Sequence, residues 1–121
     1  MRISPKLVAA LAALALLLAA PAAAQASWGA IAIEPTAGKI GYSRHVANVA
    51  DAKKKALEEC GESHCKVAVW VFNGYGAVVK KKNDVYIAGI GASKHLAFED
   101  ARKRAHEQSA PAVAWVFSGL S

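Results

Sequence analysis

CKVAVWVFNGYGAVVK, residues 65–80, is an almost wholly apolar run, a break at Asn73 and Gly74, and a second apolar run. Runs of this length, rich in valine and aromatic residues and bounded by turn residues, read as strands. The stretch decides the fold because both of its parts recur elsewhere. AVWVFNG (68–74) returns as VAWVFSG (113–119), and YGAVVK (75–80) echoes WGAIAI (28–33). Residues 65–80 therefore join the end of one copy of a unit to the start of the next.

Working outward, DAKKKALEEC (51–60) matches DARKRAHEQS (100–109), and the lead-in SRHVA (43–47) matches SKHLA (93–97). Blocks repeated in one order mark an internal duplication, with repeats at about 28–74 and 75–119. In the first repeat WGAIAI is a strand, EPTAG (34–38) is turn chemistry, and KIGYS (39–43) is the return strand. In the second, YGAVVK, KKND (81–84) and VYIAGI (85–90) take the same roles. An amphipathic helix follows each hairpin, over 47–60 and 95–108. Val49, Ala52, Ala56 and Cys60 share one helix face, and Phe98, Ala101, Ala105 and Ser109 take the matching slots. The small alanines predict helices seated close to a sheet, with Asn48 or Ser43, and Ser93, as N-caps. Asp51–Lys55, Lys54–Glu58 and Lys55–Glu59 have the i,i+4 spacing of surface ion pairs. The closing strands, CKVAVWVF (65–72) and AVAWVF (112–117), are apolar enough to predict cover on both faces. The fold class expected is α+β: a duplicated ββαβ unit with six strands, two helices and pseudo-twofold symmetry. One sheet or two is left open.

Upstream, MRISPKLVAALAALALLLAAPAAAQASW begins with Arg2 and Lys6, runs apolar from Leu7 to Ala20, and continues through Pro21 into small residues. A basic start, a short apolar core and small residues before a cut site define a secretory signal peptide. Residues 1–26 are expected to be that peptide, with cleavage after Ala24 or Ala26. A membrane anchor would need about 17–25 apolar residues, a length reached here only by running through Pro21. Cleavage after Ala26 leaves residues 27–121 as a single domain near the small end of what one core stabilises. The leader carries two bases and no acid, so the formal net charge of +6 becomes +4 without it. The expected location is exported, periplasmic or secreted, with no membrane span in the mature form.

At this point Trp28–Ala32, Gly41–Ser43, the alanine-rich helix ending at Cys60, and Cys65 through Ala77 resemble the bacterial exported "domain of unknown function 4189" family in order and spacing. The resemblance covers nearly all of the chain after the leader. It implies a small exported protein with a disulfide at the helix–strand junction, and it brings no activity, cofactor or catalytic residue. This chain departs from the family pattern in lacking cysteines in the second repeat and in its strongly basic helices.

Cys60 and Cys65 can be weighed as a disulfide, a metal site or a redox pair. Structural zinc normally takes four Cys or His ligands; two cysteines are present, with His64 poorly placed between them. His45, His95 and His106 are the other candidates, but duplication already accounts for His45 and His95. The spacing is not the C-x-x-C of thiol oxidoreductases. In an exported domain the favoured reading is a disulfide, closing a short loop and stabilising by about 2 kcal/mol. No metal ligands and no cofactor are assigned.

The chain has no G-x-S-x-G, H-E-x-x-H or P-loop, so no catalytic residue is assigned and no enzyme is expected. Gly74-Tyr75-Gly76 and Gly89-Ile90-Gly91 read as strand bends or bulges. Three basic triplets stand out: Lys53, Lys54, Lys55; Lys80, Lys81, Lys82; and Arg102, Lys103, Arg104. They form either a solvated surface or a patch for an anionic partner. Nucleic acid is not expected, because Trp28, Trp70, Trp115, Phe72 and Phe117 lie in apolar strands and read as core rather than as exposed stacking platforms. The expected function is a non-enzymatic binding domain for a protein or an anionic envelope component. The alternatives are an inhibitor or immunity-type protein against an envelope hydrolase, and an unrecognised hydrolase using His45 or His95.

Overall fold

A computed structural model describes residues 27–119, so the expected signal peptide lies outside the described residues. Two hairpin–helix–strand units follow one another: β1 (Trp28–Ile33), β2 (Ile40–Val46), α1 (Val49–Cys60) and β3 (Lys66–Phe72), then β4 (Gly74–Lys80), β5 (Tyr86–Gly91), α2 (Lys94–Ala105) and β6 (Ala112–Ser118). The strands form two antiparallel sheets, ordered β2-β1-β3 and β5-β4-β6. The ββαβ unit is thus built twice. Each unit makes one sheet, and Asn73 alone separates β3 from β4.

Alternation along the central strands creates the layers, because successive side chains of a strand point to opposite faces. In β1, Ile31 and Ile33 pack between the sheets with Val69, Val71, Val78, Ala114 and Val116. Ala30 and Ala32 turn outward and pack with Ala52, Ala56 and Cys60 of α1. In β4, Val78 joins the inter-sheet core, while Ala77 and Val79 meet Ala97, Phe98, Ala101 and Ala105 of α2. The order of layers is helix, sheet, sheet, helix, with large aliphatics between the sheets and small residues beneath the helices.

The alanines do seat the helices closely, and glycines on the strands complete the fit. A Cβ on Gly41 of β2 would strike the backbone of Ala56 and Cys60, and one on Gly89 of β5 would strike that of Ala97 and Ala101. Gly89 and Gly91 are therefore seats for α2, not the bends expected; β5 pairs with β4 without a register shift.

Three further expectations change. The strands covered on both faces are the central ones, β1 and β4, rather than the closing strands β3 and β6. Each closing strand lies at a sheet edge, beyond the two strands that its helix mainly covers. The helix alignment also moves by one turn. The N-caps Asn48 and Ser93, the 12-residue helices after them, and the left-handed C-caps Gly61 and His106 are each 45 positions apart. An offset of 49 pairs DAKKKALEEC with DARKRAHEQS equally well, because alanines recur every four residues and a four-residue slide leaves the same face apolar. Cys60 therefore corresponds to Ala105 and Cys65 to Ala110, across connections of nearly equal length. SRHVA lies mostly in β2 whereas SKHLA opens α2, so His45 and His95 are not equivalent. Finally, the ion pairs found among the described residues are Lys39–Glu62, Lys80–Asp84 and Arg104–Asp100, with His95 and Glu99 in contact besides. The three pairs expected along α1 are not among them.

Candidate functional site: aromatic and basic surfaces

Where the helices stop short, aromatic side chains fill the outer faces of the closing strands. Trp70 is 47% exposed, Phe72 51% and Trp115 43%. The reading of these residues as core is therefore corrected, for the same reason that β3 and β6 lack cover on that side. In the first half Trp28 packs on Phe72 with ring centroids 4.9 Å apart, and Lys53 of α1 lays its ammonium 3.8 Å from the Trp70 ring. In the second half Tyr75 packs on Phe117 at 4.6 Å, and Lys94 lies 4.6 Å from the Trp115 ring. Each lysine stem shelters apolar surface while its charge stays at the rim.

The three basic triplets are not brought together. Lys53, Lys54 and Lys55 lie on α1 and Arg102, Lys103 and Arg104 on α2, and these helices cover opposite outer faces of the sandwich. Lys80 ends β4 and leads into the hairpin turn that holds Lys81 and Lys82. Several of these cations are engaged locally. Arg102 Nε donates to the Ala110 carbonyl at 3.0 Å, Arg104 Nε donates to Asp100 at 3.0 Å, and Lys80 pairs with Asp84 at 3.2 Å. The Lys82 backbone N–H faces the Glu107 carboxylate. Lys54, Lys55, Lys82, Lys103 and Arg104 are the exposed members of the triplets.

Asp100 also receives the Ile90 backbone N–H at 3.0 Å. That bond, aided by Arg104 and opposed by partial burial, holds its carboxyl below the usual aspartate range. On the other half, the Lys39–Glu62 contact at 2.6 Å lowers the Glu62 carboxyl and raises the Lys39 ammonium, both at the exposed surface.

The Cys60 and Cys65 sulfurs lie 2.01 Å apart, joining the end of α1 to the approach of β3. Among the described residues no group of three or more His, Cys, Asp or Glu is placed to hold a metal ion. The histidines are dispersed. His95 pairs with Glu99 at 3.6 Å, and His106 is the C-cap of α2. His45, at φ 57°, sits beside two buried serines: Ser27 Oγ lies 3.4 Å from its Nδ1, and Ser118 Oγ accepts its backbone N–H at 2.9 Å. The two serine hydroxyls bond to each other at 2.6 Å. Among the described residues no carboxylate joins this cluster, and its geometry ties β6 to β2 and to the start of β1. Nothing in the sequence announced it, because Ser27 and Ser118 are 91 positions apart.

A trough runs along one side of the sandwich between the edge strands β3 and β5. It comprises adjoining hollows of about 310, 410 and 330 Å³. Trp70 and Ile90 line both of the first two, and Ala68 links the first to the third. Ile90 is 53% exposed.

This is a small α+β domain that carries a disulfide-distance cysteine pair at a helix–strand junction. The chain belongs to the family described as Domain of unknown function (DUF4189), which matches residues 28–116. It is similar in structure to Rv1813c from Mycobacterium tuberculosis, solved by NMR, with a TM-score of 0.59 and 33% identity over 75% of this chain and 74% of that one. No curated protein matches the chain. Among the described residues no helix is long and apolar enough to cross a membrane.

Proposed function

We propose that the chain is the precursor of an exported, non-enzymatic binding domain. Residues 1–26 serve as a cleaved signal peptide, and 27–121 form a single domain of two repeats. The domain acts in the periplasm or outside the cell, where it recognises a protein or an anionic envelope component. The observation that carries this reading is the pair of half-exposed tryptophans, each beside a lysine: Trp70 with Lys53 and Trp115 with Lys94. Aromatic and cationic groups left at a surface are the groups that dominate recognition. The cysteine pair at bonding distance is compatible with an oxidising compartment.

The test is capture of anionic partners from the native cell envelope by the immobilised domain. Lys54→Glu, Lys55→Glu and Lys103→Glu together reverse exposed charges and spare Lys53 and Arg102, whose cations are engaged. Capture should fall by about tenfold or more, with stability changed by only about 0.5 kcal/mol per site. Undiminished capture would mean that the triplets are solvated surface and nothing more.

A further inference from the structure

Of the four edge strands, β5 is the one left regular and uncharged. β2 shifts register near Arg44 and His45, the latter at φ 57°, and β3 and β6 each carry one register shift. β5 pairs with β4 residue for residue from Tyr86 to Gly91, and its sequence YIAGIG holds no charge. β2 carries Arg44 and β3 carries Lys66. Bulges and charges are the devices by which sheet edges repel further strands; β5 has neither.

The main chain tells which groups face outward. Ile90 donates its N–H to Asp100 of α2, not across to β4. Polar groups alternate direction along an antiparallel strand, so those of Ala88 and Tyr86 also point off the sheet. Asp100 thus occupies one edge position and leaves the next two open. Beside that edge lies the trough, walled by Trp70 and Ile90, with Ala68 and Ala88 in its floor and Arg104 and Lys66 at its rim. Its acids are already paired, Asp84 with Lys80 and Asp100 with Arg104. An incoming chain therefore meets apolar walls and surplus positive charge.

We infer that the β5 edge and the trough beside it take one extended segment of a partner protein, its side chains alternating between apolar and acidic. The segment pairs through its backbone with Ala88 and Tyr86, buries its apolar side chains against Trp70 and Ile90, and turns its acids to the opposite face, toward the Arg104 N–H groups that Asp100 does not use. This rests on the binding role proposed above and names its site and class of partner. A sugar is disfavoured because the Lys53 ammonium already occupies a face of the Trp70 ring. A second copy is disfavoured because a domain of formal net charge +4 without its leader would set basic rims against each other.

Amide exchange by NMR tests the site, using synthetic peptides about seven residues long, the length of one strand. One alternates valine with aspartate, one valine with lysine, and one is the acidic peptide interrupted by proline, which lacks the pairing N–H. The acidic peptide should slow exchange at Ala88 and Tyr86 by about tenfold, and the other two should not. Ile90→Ser, at an exposed position, removes the apolar wall without adding charge and should weaken acidic-peptide binding by about tenfold while leaving the fold intact. Unchanged exchange with the acidic peptide would overturn the inference, as would equal protection by all three peptides. Protection that rises with protein concentration alone would overturn it in favour of a homodimer. If Ile90→Ser retains a captured envelope partner that the Lys54, Lys55 and Lys103 reversal releases, the trough is wrong and the binding role stands. If both variants keep the partner, both readings fail.

Discussion

The two halves of the molecule reach one geometry by different chemistry. α1 ends on Gly61, which takes the left-handed conformation without a Cβ penalty, and Cys60 is joined through sulfur to Cys65. α2 ends on His106 in the same conformation, at φ 56°. There Ala105 and Ala110 pack in one apolar cluster, and Arg102 bonds to the Ala110 carbonyl. Strand and helix are also linked differently. In the first half the Ser43 hydroxyl donates to the Ala52 carbonyl at 2.6 Å, whereas in the second the Asp100 carboxylate accepts from Ile90. At the contacts compared, one half uses a covalent bond and a neutral hydrogen bond, the other packing and charge. The shared requirement is the backbone path; the means of holding it are interchangeable.

What the halves share should be the costliest to break. Gly41→Ala and Gly89→Ala each force a methyl into a helix backbone and should each destabilise by about 3 kcal/mol. Denaturant melts would show this, and a loss confined to one variant would mean that the two helix seats are not equivalent. Next comes the covalent device. Replacing Cys60 and Cys65 together with alanine, the pair the second half carries, should cost about 2 kcal/mol. Intact-mass analysis should first show the native pair two hydrogens lighter than its reduced form. His106→Gly gives the second half the first half's cap and should stabilise it by about 1 kcal/mol, read as a higher melting temperature.

The smallest effect concerns charge. Asp100 titrates lower in the folded protein than in the unfolded chain, so its contribution is fully present above the unfolded value of about 3.9. It is lost as pH falls through the lowered folded value. Asp100→Asn should remove about 0.5 kcal/mol at neutral pH and flatten that part of the acid limb. The Ser43–Ala52 link of the first half adds no such dependence.

The comparison also shows why some of this was legible in the sequence and some was not. Strand, turn and cap assignments rest on local chemistry such as Pro35, Gly38, Asn48 and Ser93, and local chemistry is written in order along the chain. The apolar runs identified β3 and β6 as strands, but apolarity does not distinguish a central strand from an edge strand shielded by aromatic rings and lysine stems. Trp70 and Trp115 therefore look buried when the sequence is taken alone. The alanine period of four concealed the true helix register, because either offset preserves the apolar face. The trough and the Ser27–His45–Ser118 cluster had no local signal, since each joins residues that meet only after two sheets stack.

The Ser27–Ser118 bond means that the described chain closes almost into a ring. Gly119 follows Ser118 directly, so the two ends emerge at one spot. A few flexible residues from Gly119 to Ser27 should therefore join them, with new ends opened at the exposed Lys82–Asn83 turn. Such a permuted chain should keep the native amide spectrum, since neither the join nor the cut falls within a strand or helix.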